Sequence, residues 1–451
     1  MKLNKLEVMN HKLILTHVFL LIFSYTLFTS HAKPSLSISE TLLFRQTLNS
    51  THPPSLHGDF KPNLQFVVAG ILSFFAAAVS SAGGIGGGGL FIPILTIVVG
   101  LDLKRASSYT AFMVTGGLIP SVASKLLARR RDGKPVIDYD IALLSEPCML
   151  LGVSCGVICN LVLPEWLIAI FFAIFLVFCT YKTFKSGISI WKRESEGKIE
   201  NEVGTSQLPL SRNEEDDNDD GKLEFPIWLK LGLLVLIWLS FFVLYLLRGN
   251  GDGQGILNIE ACGTGYWILS SIQIPLALIF TAWIMFFLHN NAPTQEIRIH
   301  GVETRRTLSS MLFFPITALL VGLLGGVFGI GGGMIISPLL LEIGKEPEVT
   351  AATCSFMVFF SSIMSATQYL LLGIGHYLYD VLTYTTICGV ASLVGLTVAQ
   401  RAVKKYQRAS LIVFTVAAGM ALSLVLMTIY GVVQVWEDYT TGKSMGFNKP
   451  C

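Results

Sequence analysis

Charged side chains are scarce in this chain. They make up 14% of its 451 residues, whereas soluble domains carry roughly a quarter. The net charge is only +2, and no basic block is long enough to predict a nucleic-acid site. Hydrophobic residues account for 52%, and they gather in runs of about the 20 residues that a membrane crossing needs. These runs cover 64–82, 108–127, 141–163, 165–184, 226–247, 265–288, 311–328, 355–374, 381–400 and 409–433. The composition therefore predicts an all-α, polytopic membrane protein.

Side chains suited to catalysis or metal binding are also sparse. The eight cysteines show no metal-ligand spacing, and the apolar runs contain neither His nor Asp. An intramembrane enzyme would need a nucleophile with a base, or paired acids. Gly84, Gly86 and Gly89 match a dinucleotide fingerprint, but the strand before it and the acidic residue after it are missing. We therefore expect no enzyme activity, no metal, no nucleotide and no other cofactor.

The N-terminus has the pattern of a secretory signal. Lysines precede an apolar run over 13–28, and the sequence at 30–32 has the small-x-small pattern of a cleavage site. We predict a signal peptide at 1–32, with an uncleaved signal anchor as the alternative. In either case 33–63 is a lumenal or extracellular segment, and its sequon predicts glycosylation at Asn49. The expected location is a plasma membrane or endomembrane of the secretory pathway.

A glycine-rich sequence occurs twice. Gly-Ile-Gly-Gly-Gly at 84–88 recurs letter for letter at 329–333, and a proline follows each copy at the same distance, as Pro93 and Pro338. The offset of 245 residues continues without a gap into the following helix. Glycine-rich backbone is costly in an apolar stretch unless it lines a cavity or meets another backbone. Two matching halves with such breaks are typical of transporters built from internal repeats.

The duplication divides the chain into segments. After the lumenal segment we predict a first transmembrane repeat, an acidic cytosolic linker, two linking transmembrane helices, a cytosolic loop, a second transmembrane repeat and a short tail. These segments cover 64–190, 191–225, 226–288, 289–308, 309–435 and 436–451, respectively. The linker contains an acidic run at 214–220, and we expect it to be solvated and disordered.

A short apolar piece follows each glycine cluster, at 90–101 and at 334–343. As a helix, each piece rises only about half of the 30 Å hydrocarbon core. Each is either re-entrant, or completes a crossing together with the extended glycine stretch. The positive-inside rule favours crossing, because the basic loops then lie in the cytosol, with Lys104 and Arg105 as the exception. The chain then crosses twelve times, which predicts two inverted repeats of about five helical segments each, with two intervening helices.

Hydroxyl groups gather where the helix after each short piece begins. Ser108 and Thr110 in the first repeat match Thr353 and Ser355 in the second at the offset of 245. A helix N-terminus carries free N–H groups and partial positive charge, so two such ends meeting near the midplane would bind an anion. The glycines would either let the backbone approach that ligand or let helices pack closely. The glycines predicted to bind substrate are Gly84, Gly86, Gly87, Gly88, Gly329, Gly331, Gly332 and Gly333.

Ionisable groups inside the membrane are candidates for function by default. The apolar segments contain Lys125, Glu146 and Glu342. Lys125 and Glu146 either form a pair, or Glu146 carries a proton during transport. For Lys125 and Glu342 the alternative is that the side chain reaches to the membrane surface.

The duplicated Gly-Ile-Gly-Gly-Gly, its proline five residues on, and A-x-S/T-x-x-x-F/M at the next helix resemble the sulfite exporter TauE/SafE family. The signal-like N-terminus and acidic linker are similar to those of its plant members, and the resemblance covers about 64–435. It implies a permease, not an enzyme, that exports small sulfur-containing anions such as sulfite or organosulfonates.

We therefore expect alternating access around a central site, with a proton as the coupling ion. The alternatives are a non-transporting scaffold or trafficking protein on the same fold, and an anion channel. The expected partners are a small anion and the lipid bilayer but not nucleic acid, and self-association into a homo-oligomer is left open.

Overall fold

The computed structural model describes residues 64–126, 128–129, 133, 135–203, 227–248, 263–291, 297–299, 302–304, 308–371, 378–406, 410–441 and 446. The predicted signal peptide, the sequon at Asn49 and the acidic run at 214–220 lie outside these residues. Residues up to Val68 and residues from Ala69 onward belong to two separate compact units. The contacts reported below all lie within the second unit.

The described part of the chain is almost entirely helical. The helices are α1 (Leu64–Ala82), α2 (Gly88–Pro93), α3 (Leu103–Lys125), α4 (Tyr139–Val162), α5 (Glu165–Val203), α6 (Ile227–Arg248), α7 (Thr264–Asn291), α8 (Leu308–Phe328), α9 (Gly333–Glu342), α10 (Pro347–Leu371), α11 (Leu378–Tyr406) and α12 (Ser410–Thr441). A π-helical stretch, Ile94–Val99, continues α2. A small antiparallel hairpin, β1 (Ile297–Ile299) and β2 (Val302–Thr304), precedes α8. The all-α prediction is confirmed.

Nine of the described helices are long and apolar enough to cross a membrane: α1, α4 to α8, and α10 to α12. Helix α3 has 23 residues but is less apolar, because its first half contains two charged and three hydroxyl-bearing Ser and Thr residues. Most of α3 is buried among other helices, so its hydroxyl groups are kept away from lipid. The chain is a multi-pass integral membrane protein, and its described part has twelve helical segments, as expected, when α3 and the two short segments are counted.

Helices of the two repeats pack in matching groups. Helix α11 runs parallel to α1 and α3, and α4 runs parallel to α8 and α10. In the first group, α1 contacts α11 through Gly70 with Ile387 and Ala78 with Gly395, and α3 contacts α11 through Tyr109 with Tyr384 and Gly117 with Cys388. In the second group, the contacts pair Met149 with Gly322, Asn160 with Val327, Tyr139 with Phe356 and Ser154 with Gln368.

Helices α3 and α10 cross in opposite directions. Lys125 near the end of α3 contacts Ala351 near the start of α10, and Ser121 contacts Ser355 one turn further in. We call the side where α3 ends the Lys125 side, and the side where α3 begins the Lys104 side. Because α1 and α3 run parallel, the short segment that joins them returns from the glycine loop to the Lys104 side. Helix α9 returns to the Lys125 side in the same way.

The offset between the repeats changes by one residue within the short segments. Pro93 and Pro338 are 245 positions apart, but the glycines with positive φ that end the segments, Gly100 and Gly344, are 244 apart. The π-helical stretch accommodates the additional residue, because a π-turn is one residue longer than an α-turn. The expected pairing of Ser108 with Thr353, and of Thr110 with Ser355, is therefore wrong in the folded chain. Ser108 is instead equivalent to Ala352, and Thr110 to Cys354.

Two expected segment boundaries also differ. Helix α5 does not end at 190 but continues to Val203, because Glu, Lys and Arg are frequent there and no proline interrupts them. Helix α12 likewise continues past 435 to Thr441. The start of the predicted linker and the start of the predicted tail are therefore helical rather than irregular.

Candidate functional site

The two glycine loops meet inside the protein. A Cβ on Gly88 would lie 2.6 Å from the side chain of Ile330, and a Cβ on Gly333 would lie 2.9 Å from the carbonyl oxygen of Ile85. Gly88 and Gly333 are equivalent in the two repeats, as are Ile85 and Ile330. Each of these glycines therefore packs against the isoleucine of the other loop, and only glycine permits this approach.

All eight glycines predicted to bind substrate are buried, and a Cβ at any of them would come within 3.0 Å of another heavy atom. Gly84 adopts a φ of 72° against the carbonyl oxygen of Ala351, and Gly329 adopts 67° against that of Ser107. None of the eight lines the cavity described below, whereas their neighbours Gly83 and Ile85 do. The geometry of these glycines is that of close packing, one of the two interpretations of the sequence.

The four predicted hydroxyl ligands do not converge on one point. Ser108 donates to the carbonyl oxygen of Lys104 in its own helix, at 3.0 Å. The Thr353 hydroxyl accepts a hydrogen bond from the backbone N–H of Asp138, at 2.9 Å. Thr110 is buried, and its hydroxyl has no hydrogen-bond partner in the described part of the chain.

The antiparallel crossing of α3 and α10 is the reason for this separation. Ser355 lies opposite Ser121, thirteen residues beyond Ser108, and thirteen residues of helix rise about 20 Å. The N-termini of α3 and α10 therefore lie on opposite sides. The helix starts that do approach each other are those of α2 and α9, at Gly88 and Gly333.

A cavity of about 650 Å³ opens between the repeats on the Lys125 side. Its volume is in the range of small-molecule sites, which is about 300–1,000 Å³. The lining comes from the first glycine loop, the end of α3, and helices α5, α9, α10, α11 and α12. Its polar side chains are Ser124, Lys125, Thr183, Ser337, Glu348, Thr350 and Gln400.

Lys125 is the only cation among the residues that line this cavity. Its ammonium group donates to the carbonyl oxygen of Ala351 at 3.2 Å and to the hydroxyl of Ser355 at 3.3 Å. Ser355 also contacts Ser121 across the helix crossing, with 3.1 Å between the hydroxyl oxygens. Lys125 therefore does not reach away to the membrane surface, but holds a positive charge where the two repeats cross.

Two further lining residues have unused hydroxyl groups. Thr183 on α5 and Thr350 on α10 are buried, and within the described residues neither hydroxyl oxygen has a hydrogen-bond partner. Glu348, which supplies the only acidic side chain of the lining, stands one turn along α10 from Ala351. No motif singles out Thr183, Ser337, Thr350 or Gln400, because they lie on four different helices.

Hydrogen bonds between helices close the Lys104 side. Tyr369 donates to the carbonyl oxygen of Gly326 at 2.8 Å, and the Asn160 amide donates to that of Val327 at 2.6 Å. These bonds join α10 and α4 to the last turn of α8, directly before the second glycine loop. Lys104, the basic exception to the positive-inside pattern, donates to the carbonyl oxygen of Leu161.

The remaining intramembrane charges behave differently from each other. Glu342 pairs with Lys182 on the Lys125 side, with 2.7 Å between the ammonium nitrogen and a carboxylate oxygen. Glu146 is completely buried in α4, and neither of its oxygens has a hydrogen-bond partner among the described residues. The suggested pair of Lys125 with Glu146 is therefore absent from this part of the chain. Nor do three metal-binding side chains come together anywhere in the described ranges.

The chain matches the family model described as Sulfite exporter TauE/SafE, over residues 6–183, 69–212 and 227–426. It is 54% identical over 411 residues to Sulfite exporter TauE/SafE family protein 2 of Arabidopsis thaliana, covering 85% of this chain and 87% of the relative. Family protein 5 of the same plant is 53% identical, with 87% and 89% covered. Family protein 6 is 43% identical, with 91% and 92% covered. No solved structure was found to match the chain.

Proposed function

Since the chain belongs to the sulfite exporter TauE/SafE family, we propose that it is a secondary transporter that exports a small sulfur-containing anion, such as sulfite or an organosulfonate, by alternating access. A proton is the coupling ion in this proposal. The observation that carries it is the cavity between the repeats, with the ammonium group of Lys125 on its wall.

The chemistry of the cavity suits an oxyanion. Lys125 supplies a positive charge beside the carbonyl oxygen of Ala351, and the unused hydroxyls of Thr183 and Thr350 supply donors without breaking any hydrogen bond in the described protein. Charge-assisted hydrogen bonds are stronger than those between neutral groups. Ser355 and Gly84 contribute indirectly, since both lie at the helix crossing where Lys125 is held.

The helix directions support inverted repeats. Helices α1, α3 and α4 of the first repeat correspond to α8, α10 and α11 of the second. Exchanging the repeats therefore turns the group of α1, α3 and α11 into the group of α8, α10 and α4. The corresponding helices α3 and α10 run in opposite directions. In such an arrangement, rocking one repeat against the other exposes a central site to each side in turn. An open cavity on the Lys125 side and hydrogen bonds across the Lys104 side fit one of these two states.

The distribution of basic residues supports a cytosolic Lys125 side. Arg129 and the Lys182–Glu342 pair lie there, and the contact of Glu194 with Ser410 places the ends of α5 and α11 on the same side. The cavity would then face the cytosol, where an exporter takes up its substrate. A plasma membrane or endomembrane of the secretory pathway is the location that we propose.

Transport by the purified protein in proteoliposomes tests the proposal. Radiolabelled sulfite should enter saturably, should be displaced by an organosulfonate such as taurine, and should show counterflow when the vesicles are preloaded with unlabelled sulfite. Flux that neither saturates nor shows counterflow would favour a channel. Folded protein that moves none of sulfite, sulfate, thiosulfate and taurine would favour a scaffold or trafficking role.

A further inference from the structure

Glu146 is an isolated carboxyl group inside the helix assembly. It lies in α4, its side chain has no exposed surface, and neither carboxyl oxygen meets a donor in the described protein. Buried polar groups in proteins nearly always have a hydrogen-bond partner, and a buried charge is usually paired. A carboxyl group that has neither costs stability, so a structural role is a poor explanation for it.

By helical periodicity Glu146 lies on the side of α4 that packs against α8 and α10. Tyr139, seven residues earlier on that side, packs against Phe356 of α10. It precedes Met149 by three residues and Val153 by seven, and both of these face α8. A Cβ on Gly322 would meet the carbonyl oxygen of Met149, and one on Gly326 would meet that of Val153. The two backbones are therefore in contact directly beyond Glu146, which leaves little space for water.

Among the described residues, no opposite charge is hydrogen-bonded to Glu146. Helix α8 carries no ionisable residue at all. Three other helices, α6, α7 and α10, also pack against α4. Their titratable residues are Lys230, Tyr245 and Arg248 on α6, Tyr266 and His289 on α7, and Glu348, Cys354 and Tyr369 on α10. None of them forms a hydrogen bond with either carboxyl oxygen of Glu146.

Helix α8 connects Glu146 to the transport path. It ends at Phe328, where the second glycine loop begins, and its last turn accepts the bonds from Asn160 and Tyr369 that close the Lys104 side. A charge on Glu146 would draw water between α4 and α8 and separate them. A neutral carboxyl group lets the two backbones stay in contact.

We propose that Glu146 is the proton-carrying residue of the transporter. It holds a proton in the conformation described here and releases it when α4 and α8 separate in the opposite conformation. The carboxylate takes up a proton from water on one side of the membrane and returns it as a carboxylic acid to water on the other, with no change in oxidation state. The role of Glu146 in coupling rests on the proposed transport function. Its protonation in this conformation does not.

Infrared spectroscopy of the purified full-length protein tests the protonation without any substrate. At neutral pH the wild type should show the C=O band of a carboxylic acid, sensitive to exchange into D2O, and Glu146→Gln should lose it. Glu342→Gln is the matched control, because Glu342 is ion-paired with Lys182 and its removal should leave the band in place. Absence of the band from the wild type, or its persistence in Glu146→Gln, would overturn the proposal.

Transport in proteoliposomes tests the coupling. Glu146→Gln imitates the protonated group, so it should retain sulfite counterflow at equal pH but lose the accumulation driven by a proton gradient. Glu146→Asp, which keeps a carboxyl group, should recover part of that accumulation. Gradient-driven uptake by Glu146→Gln at the wild-type level would overturn the assignment, and so would loss of counterflow in folded Glu146→Gln, or an Asp variant that behaves like Gln.

The two proposals fail in different ways. If the wild type itself moves no sulfite, the proposed substrate is wrong, and the infrared result still decides whether Glu146 carries a proton. If the wild type shows counterflow and gradient-driven uptake but lacks the carboxylic acid band, transport stands and Glu146 is not its proton carrier.

Discussion

The ammonium group of Lys125 lies 3.2 Å from the carbonyl oxygen of Ala351, where the end of helix α3 crosses the start of α10. Lys125 is the one cation among the residues that line the cavity, and this contact holds it between the two repeats. Any movement of α3 relative to α10 would displace the backbone that it contacts. It therefore couples the charge of the proposed site to the relative position of the repeats, and the first prediction concerns this residue.

Replacing Lys125 by methionine should weaken anion binding without unfolding the protein. Methionine keeps the apolar stem of the side chain but removes the charge and both hydrogen bonds. Losing a hydrogen bond that involves a charged group costs about 1.5–3 kcal/mol, which corresponds to roughly a tenfold to hundredfold rise in the KM for sulfite. The matched control is Lys185→Met, because Lys185 is exposed on α5 and does not line the cavity. An unchanged KM for Lys125→Met would remove Lys125 from the site.

Thr350→Val and Thr183→Val should separate substrate binding from stability. Neither hydroxyl has a hydrogen-bond partner among the described residues, so replacing it by a methyl group of similar shape should leave the melting temperature unchanged or raise it. The KM for the anion should rise by about fivefold to tenfold for each variant, as expected for one lost hydrogen bond of about 1 kcal/mol. Thr385→Val provides the comparison, since Thr385 bonds to Val381 in its own helix. A fall in stability with an unchanged KM would contradict the proposed role.

Gly333→Ala should damage folding regardless of transport. The added Cβ would lie 2.9 Å from the carbonyl oxygen of Ile85, which is backbone and cannot rotate away. Overpacking of this kind costs about 1–3 kcal/mol, so less folded protein should elute as a single species in gel filtration. Gly232→Ala is the control, because Gly232 lies in α6 with no atom within 4 Å of its added Cβ. Wild-type stability of Gly333→Ala would show that the loops do not meet as described.

Thr353→Ala and Ser108→Ala should differ, although the sequence suggested equal roles. Thr353 accepts the backbone N–H of Asp138, and removing this acceptor leaves a partly buried donor unsatisfied, at a cost of about 1–3 kcal/mol. Ser108 only bonds to its own helix, so its loss should be nearly neutral. Thermal unfolding of the two purified variants measures this difference. Equal melting temperatures, or a larger loss for Ser108→Ala, would contradict the geometry.

Paired cysteines at Ser121 and Ser355 should test the antiparallel crossing of α3 and α10. The two hydroxyl oxygens are 3.1 Å apart, so Ser121→Cys with Ser355→Cys should form a disulfide on oxidation. Ser108→Cys with Ser355→Cys should not, since Ser108 lies about 20 Å further along α3. Mass spectrometry of the joined peptides distinguishes these pairs from the native cysteines. Cross-linking of the second pair instead of the first would rule out the crossing.

Much of the membrane architecture could be predicted from residue order alone. A membrane-crossing helix makes all its backbone hydrogen bonds within itself, because lipid offers no partners. An apolar run of sufficient length can therefore be recognised without knowing what packs against it. The repeats were visible for the same reason: 84–88 and 329–333 are identical, and loops with positive φ demand glycine at the same positions. The parity of the crossings then led to the prediction of opposite directions for α3 and α10.

The offset between the repeats could not be followed through the short segments. Ala106 and Ala351 keep the 245-residue spacing in the letters, yet Gly84 contacts Ala351 whereas Gly329 contacts Ser107. One residue is accommodated as a π-turn between Ile94 and Val99, and such a turn has no mark in the sequence. A hypothesis that paired hydroxyls by counting residues therefore paired the wrong ones.

The sequence by itself determined which segments are long and apolar enough to cross the membrane, where the chain repeats, and which few charges lie in the apolar segments, because hydrophobicity and glycine conformation act locally. Only the tertiary structure decided which polar groups meet. Lys125, Thr183 and Thr350 line one cavity because α3, α5 and α10 pack around it, although up to 225 positions separate them in the chain. Glu146 has no hydrogen-bond partner among the described residues, and α8, which packs against its helix, carries no ionisable residue. Proximity between distant helices is a property of their packing, and it is this packing that placed one cation beside unused hydroxyls and left one carboxyl group alone.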